Sequence, residues 1–282
     1  MLRPIPPSEP RGPELLRRHY EIEKELARRL REAPAEDRRR LYAEVYDAFY
    51  RLPDLPVDDP EGRRRTVELQ ARALEPYLSP ESVFLEVGGG DGALARALAP
   101  RVRRVYAVEA SAEAAAGVDW PANAELRVAD ASRLGLDDGT VDLAYSCHFL
   151  EHLHPDDAAV HAAEVRRVLI PGGRYVVVTP SRLWGPHDIS RYFDREPTGF
   201  HLREYTHGDL AELFLGAGFG RVEALAGIGR PLARRALWPC RLAEGVLGRL
   251  PFALRRAVMD AVGRFGDEPF RPLEQVIVAG VR

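Results

Sequence analysis

The chain has 282 residues, 45% hydrophobic and 29% charged, with a formal net charge of −3. That content supports one large α/β domain with additions or two small domains, and the near-neutral balance gives no general electrostatic reason to bind nucleic acid. Cys147 and Cys240 make no disulfide framework, no run approaches the ~18 apolar residues of a membrane span, and the proline-rich start carries no apolar signal segment, so a cytoplasmic protein is expected.

Taken in chain order, residues 1–13 read as a loose leader, followed by helical patterns over Pro13–Ala33 and Ala35–Arg51. The segment Leu52–Pro60, rich in proline and aspartate, reads as a loop, and a third helix runs over Gly62–Leu78. Strands are then expected at Val83–Val87, Arg104–Glu109, Glu125–Ala129, Val141–Ser146, Arg174–Thr179, Arg221–Ala226 and Gln275–Val281. Helices fall between most of them, at Gly92–Leu98, Asp156–Leu169 and Gly208–Ala217. Such alternation predicts an α/β fold, a doubly wound, Rossmann-like sheet of seven strands. Residues 1–61 form an N-terminal helical extension, 62–282 the main domain, and 228–270 a helical insertion before the last strand.

The buried strand Val83–Val87 opens directly into Gly88-Gly89-Gly90-Asp91-Gly92 and a helix. Glycines permit positive φ and leave no Cβ against a ligand, while a helix start offers unpaired N–H groups to a carboxylate or phosphate. A nucleotide-like cofactor is therefore expected here. Gly88, Gly90 and Ala93 also satisfy the looser dinucleotide pattern, with Glu109 as a ribose acid, so a nicotinamide-dependent oxidoreductase is the alternative. Glu86 at the strand end, the extra Gly92 and the second acid Asp130 favour a methyl donor.

With Glu86-x-Gly88-x-Gly90-x-Gly92, Glu109, Asp130, the run Asp142–Ser146 leading to Leu150-Glu151-His152, and Pro171-Gly172-Gly173, the chain resembles the class I S-adenosylmethionine-dependent methyltransferases over about residues 64–227 plus the last strand. The resemblance implies S-adenosyl-L-methionine as cofactor, held by Glu86, Gly88, Gly90, Asp91, Gly92, Glu109, Asp130 and Ala131. It places Glu86 by the methionine amine, Glu109 on the ribose hydroxyls and Asp130 on the adenine amine, with Ala131 beside it. It also implies that the last strand is antiparallel.

Transfer to a hydroxyl needs a base. His152 is the first candidate, and His201 and His187, in the polar loop after the fifth strand, are the others. That loop and its aromatics suit a small-molecule or saccharide acceptor. His148-x-x-Glu151-His152 matches an inverted zinc motif in form, but zinc needs both histidines on one helix and a further ligand, so no metal is expected. Tyr20, Tyr42, Tyr46 and Tyr50 read as core aromatics with a second reading as acceptor contacts. In the insertion, arginines interleaved with Leu, Trp and Phe predict an amphipathic pair packed on the sheet edge or a homodimer contact, ahead of a membrane-surface contact. A non-catalytic cofactor-binding scaffold is a further alternative; damaged cofactor motifs, its sign, are absent from the sequence.

Overall fold

The computed structural model describes residues 5–6, 9–52, 59–114, 116–226, 233–263 and 274–281. Two helices open the chain, α1 (Pro13–Glu32) and α2 (Ala35–Tyr50). Pro13 at the first helical position supplies a preset φ where no N–H is needed. Leu16, Tyr20, Ala27 and Leu30 recur three to seven residues apart and bury one stripe of α1. Then come α3 (Pro60–Leu74), β1 (Val83–Val87), α4 (Ala93–Leu98), β2 (Arg104–Glu109), β3 (Ala124–Val128) and β4 (Val141–Cys147). The second half holds α5 (Pro155–Val168), β5 (Leu169–Pro180), α6 (His207–Gly216), β6 (Arg221–Ala226), β7 (Ala233–Arg235), α7 (Leu237–Leu247), α8 (Phe252–Gly263) and β8 (Glu274–Gly280).

The strands form one sheet in the order β3-β2-β1-β4-β5-β8-β6-β7. The pairs from β3 to β5 are parallel, and β8 lies antiparallel between β5 and β6, as the resemblance implied. The seven expected strands are all present. The eighth, β7, lies in the insertion where helix was expected and hairpins back onto β6. Pairing with an open edge outweighs local helix preference there, and the exposed Arg235 leaves that edge charged. The helices α7 and α8 do form; residues 227–232 and 264–273 of this region lie outside the described residues. Trp238, Leu242 and Val246, four residues apart on α7, are exposed.

Strand β5 is longer than expected because it runs through Pro171-Gly172-Gly173 as a bulge: Val141 pairs with Leu169, and Leu143 next with Arg174. All five residues of β1 are buried, as a parallel strand covered on both faces requires. One apolar cluster joins α1, α2, α5 and α6 to a face of the sheet; the other joins α3 and α4 to the opposite face. The N-terminal helices therefore share the main core. Arg38 of α2 adds a two-pronged bond to Asp157 of α5 at 2.7 and 2.8 Å, and Tyr42 donates to the same carboxylate at 2.9 Å. No described helix is long and apolar enough to cross a membrane.

Candidate active site

Strand order reverses between β1, which pairs with β2, and β4, on its other side. Open α/β sheets place ligands outside the carboxyl ends of the strands at such a switch point. A cleft lies there, lined on one side by Gly88, Glu109, Asp130 and Ala131 and on the other by α2, the turn after β4 and α5.

Gly88 has φ +70°, and a Cβ on it would lie 2.2 Å from the Phe149 ring. Only glycine turns the chain here without evicting the aromatic wall of the cleft. Glu109 stands across from it, 9% exposed. Its carboxylate accepts the Gly90 N–H at 3.0 Å and the Ser111 N–H at 3.1 Å, tying the glycine loop to β2. Burial pushes its pKa up, and the backbone donors oppose that shift. Asp130 accepts the Ser132 N–H at 2.8 Å and the Ser132 hydroxyl, both on Oδ1, an arrangement that orients the carboxylate at the edge of the cleft.

Four of the expected cofactor residues lie beneath or beside the cleft lining rather than in it. The buried Glu86 carboxylate accepts the Ala95 N–H at 2.9 Å, and Asp91 accepts the Ala93 N–H at 3.1 Å while pairing with Arg63. These two acids occupy first-turn donors of α4 that sequence reasoning left open to the cofactor. The expectation of free donors there is corrected: in the six-residue α4 the Ala93 and Ala95 N–H groups are already taken by side chains of the chain itself. Gly92 has φ +67° and leaves room for Trp120, whose ring a Cβ would meet at 2.2 Å. Its requirement is packing. Gly90 donates to Glu109 and faces open space: a Cβ there would meet only the Tyr50 hydroxyl, at 4.0 Å.

A buried group that sequence reasoning missed holds Ala131 in place. His161 Nδ1 lies 3.0 Å from the Ala131 carbonyl, which can only accept, so Nδ1 carries the proton. Nε2 then accepts from the Tyr175 hydroxyl at 2.8 Å, and Tyr175 accepts from Ser146 at 2.8 Å. Burial holds His161 down to about 4, neutral as this chain of bonds needs. The available signal was its place among Ala158, Ala162 and Val165 on the apolar stripe of α5.

The same cleft is also lined by Tyr42, Tyr46, Tyr50, His148, Phe149 and His152. Three of the four tyrosines thus reach the cleft; Tyr20 instead stacks on Phe193 and bonds Asp194. His148, next to the end of β4, has φ +51°, a strained value for a side chain of its size. His152 donates Nδ1–H to the Phe200 carbonyl at 3.1 Å, which leaves the Nε2 lone pair unprotonated, and burial holds the ring down to about 4. His201 sits behind it, edge-on at 5.1 Å between ring centres, with Nδ1 2.8 Å from Glu204. Burial would lower His201, but Glu204, Glu151 and Asp188 raise it. His187 is outside the cleft lining: its Nε2 donates to the Ser181 carbonyl at 3.0 Å and its backbone N–H to Glu204. Of the three candidate bases, the fold brings His152 alone to the cleft wall.

Glu151 is fully buried beside them, accepting from Thr179 at 2.9 Å and bonded to His148 at 3.2 Å. Burial would raise its carboxyl, but the surrounding imidazoles hold it well below the usual range.

Residues 85–177 match a family described as a methyltransferase domain. A protein of Mycolicibacterium smegmatis described as a probable S-adenosylmethionine-dependent methyltransferase is 34% identical over 146 residues, 51% of this chain and 54% of that one. An uncharacterized 37.1 kDa protein from transposon TN4556 of Streptomyces fradiae is 31% identical over 223 residues, 74% of this chain and 60% of that one. The chain thus spans little more than half the length of these relatives. Among solved structures, a chain from the complex of the Haloferax volcanii Trm112 methyltransferase activator with a methyltransferase superposes with a TM-score of 0.54 at 18% identity, over 84% of this chain and 97% of that one; it bears on the fold alone. Motif order and these matches agree: residues 85–177 carry a methyltransferase domain, and the chain is similar to S-adenosylmethionine-dependent methyltransferases.

Proposed function

We propose that this chain transfers the methyl group of S-adenosylmethionine to a hydroxyl of a small-molecule or saccharide acceptor. The observation that carries the reading is one cleft lined both by Glu109, Asp130 and Ala131 and by Tyr42, Tyr46 and His152. The first group suits ribose hydroxyls and an adenine amine, because carboxylates accept charge-assisted bonds from both. The second offers apolar ring faces with a few polar atoms, the usual lining for a small polar ligand. In the transfer, the acceptor oxygen attacks the methyl carbon as the carbon–sulfur bond breaks, and sulfur keeps the electron pair. The acceptor's proton leaves toward the cluster around His152. Positioning in line supplies most of the rate. The matched family and the Mycolicibacterium relative are described as methyltransferase, which does not favour the nicotinamide alternative.

The direct test incubates the protein with methyl-labelled S-adenosylmethionine and a panel of phenols, sugars and amines. Label on hydroxylated acceptors is expected; label on amines alone would overturn the hydroxyl assignment.

A second prediction concerns Glu86. Burial raises its carboxyl to about 8, so without cofactor it is mostly protonated near pH 7. Its carboxyl carbon lies only 2.5 Å from where a Cβ on Gly89 would sit, directly under the glycine loop. An ammonium bound above that loop favours the carboxylate, so cofactor binding is expected to release a proton. Calorimetry of S-adenosylhomocysteine in two buffers of different ionisation enthalpy reads this out. The heats should differ for the wild type and agree for Glu86→Gln; equal heats in the wild type would remove the amine from Glu86.

A further inference from the structure

We infer that Glu151, His152 and His201 form a binding site for one divalent transition-metal ion of the zinc type, with an open position toward the cleft. One carboxylate oxygen and two imidazole nitrogens from these residues all lie within 4.8 Å of one another. Two come from the turn after β4 and the third from the loop after β5. The zinc-like sequence motif therefore contributes two of its three residues: His148 is not in the set, and His201 supplies the further ligand that the motif lacked.

The hydrogen bonds assign the ligand atoms. His152 donates Nδ1–H to the Phe200 carbonyl, and His201 bonds Glu204 through Nδ1. Each ring is thereby held by its outer nitrogen, which leaves Nε2 as the inward one. Metal-ligating histidines are held this way, by a carbonyl or a carboxylate on the other nitrogen. Glu151 accepts from Thr179 on one oxygen and contacts His148 with the other, and a carboxylate has about four acceptor sites, so capacity remains for an ion. No hydrogen bond joins any two of the three side chains among the described residues. They converge without bonding to each other. Ligands about 2.1 Å from a tetrahedral zinc lie about 3.4 Å apart, so modest side-chain rotation closes the set.

A further observation points to a ligand here. The Tyr46 hydroxyl is buried with no partner among the described residues. Its ring meets His152 edge-on at 6.0 Å and it lies within electrostatic reach of Glu151. It is placed to bond a water or acceptor oxygen in the open position. Three protein ligands plus an open position is the pattern of a catalytic zinc site, where the ion lowers the pKa of a bound hydroxyl. That role rests on the methyl-transfer reading; the binding does not.

The test uses the full chain, stripped with a chelator and titrated with Co2+, with elemental analysis after zinc loading. About one equivalent of zinc and a visible absorption band of low-coordinate cobalt are expected. Glu151→Gln and His201→Ala should lose both while remaining folded by circular dichroism, and Glu204→Gln should bind about 10- to 100-fold more weakly. No cobalt band and substoichiometric zinc in the folded wild type would overturn the site, as would undiminished binding by His201→Ala. If the ion binds but no acceptor is methylated, the site stands and the methyl-transfer reading fails. Methyl transfer at full rate by protein that binds no cobalt has the opposite meaning and returns deprotonation to the His152 imidazole itself.

Discussion

Replacing Glu109 with alanine should weaken S-adenosylhomocysteine binding by about 100-fold or more. Its carboxylate is the one acid in the cleft that also organises the loop: it holds the Gly90 and Ser111 N–H groups at 3.0 and 3.1 Å. A bond to a charged acceptor contributes about 1.5–3 kcal/mol, so losing the two that a ribose diol would make removes about 3–6 kcal/mol before the loop is considered. The Gly90 N–H is then left without its acceptor, and the loop that bends at Gly88 loses its tether to β2. Glu109→Gln keeps the shape and one acceptor oxygen but sets an amide against two backbone donors, and an intermediate loss is expected. Titration calorimetry measures both, with a thermal melt to show that each variant is folded. A change of less than about threefold for Glu109→Ala would take this residue out of the cofactor site.

How much of this was legible in the sequence depends on how local each cause is. Strand β1 was legible because a run buried on both faces has no polar alternation to hide it, and the glycines after it follow at once. Glu109 and Asp130 were legible because strand ends in a parallel sheet converge on one edge, so spacing along the chain becomes proximity in space. The role of Gly92 was not legible, since its neighbour Trp120 comes from a loop after β2 and only the packed structure shows what a Cβ would strike. Strand β7 was missed for a related reason: three residues with arginines carry no strand signal until an edge is there to pair with. Glu86 and Asp91 were expected to face the ligand, but a short helix start drew both carboxylates to its own donors. The largest gap concerns the histidines. Nothing in the spacing of His152, His187 and His201 says that the first would line the cleft, the second bond to Ser181, and the third stand behind the first. Burial and tautomer decide these roles, and both depend on partners brought close only by the fold.

Replacing His152 with alanine should lower kcat by about 100- to 10,000-fold, the range that proton transfer by a positioned group supplies, while the cofactor affinity stays within about threefold. The split follows from position. The contacts of His152 are with residues other than Glu109, Asp130 and Ala131: its ring meets Tyr46 and His201, and its Nδ1 the Phe200 carbonyl. Removing it leaves the cofactor's contacts intact and takes away the nitrogen that meets the acceptor. His201→Ala distinguishes how that nitrogen works. If His152 and His201 serve one ion, the two variants should fall together and the double variant should lose little more than either alone, because groups acting as a unit are not additive. If His152 acts by itself, His201→Ala should cost only what a disturbed neighbour costs, well short of the His152→Ala loss. His187→Ala, whose side chain bonds the Ser181 carbonyl away from the cleft lining, should stay within about threefold of wild type. Single-turnover rates with an acceptor that the wild type methylates, measured beside calorimetric cofactor affinity, separate these outcomes. Full activity in His152→Ala would place the proton's acceptor elsewhere in the cleft.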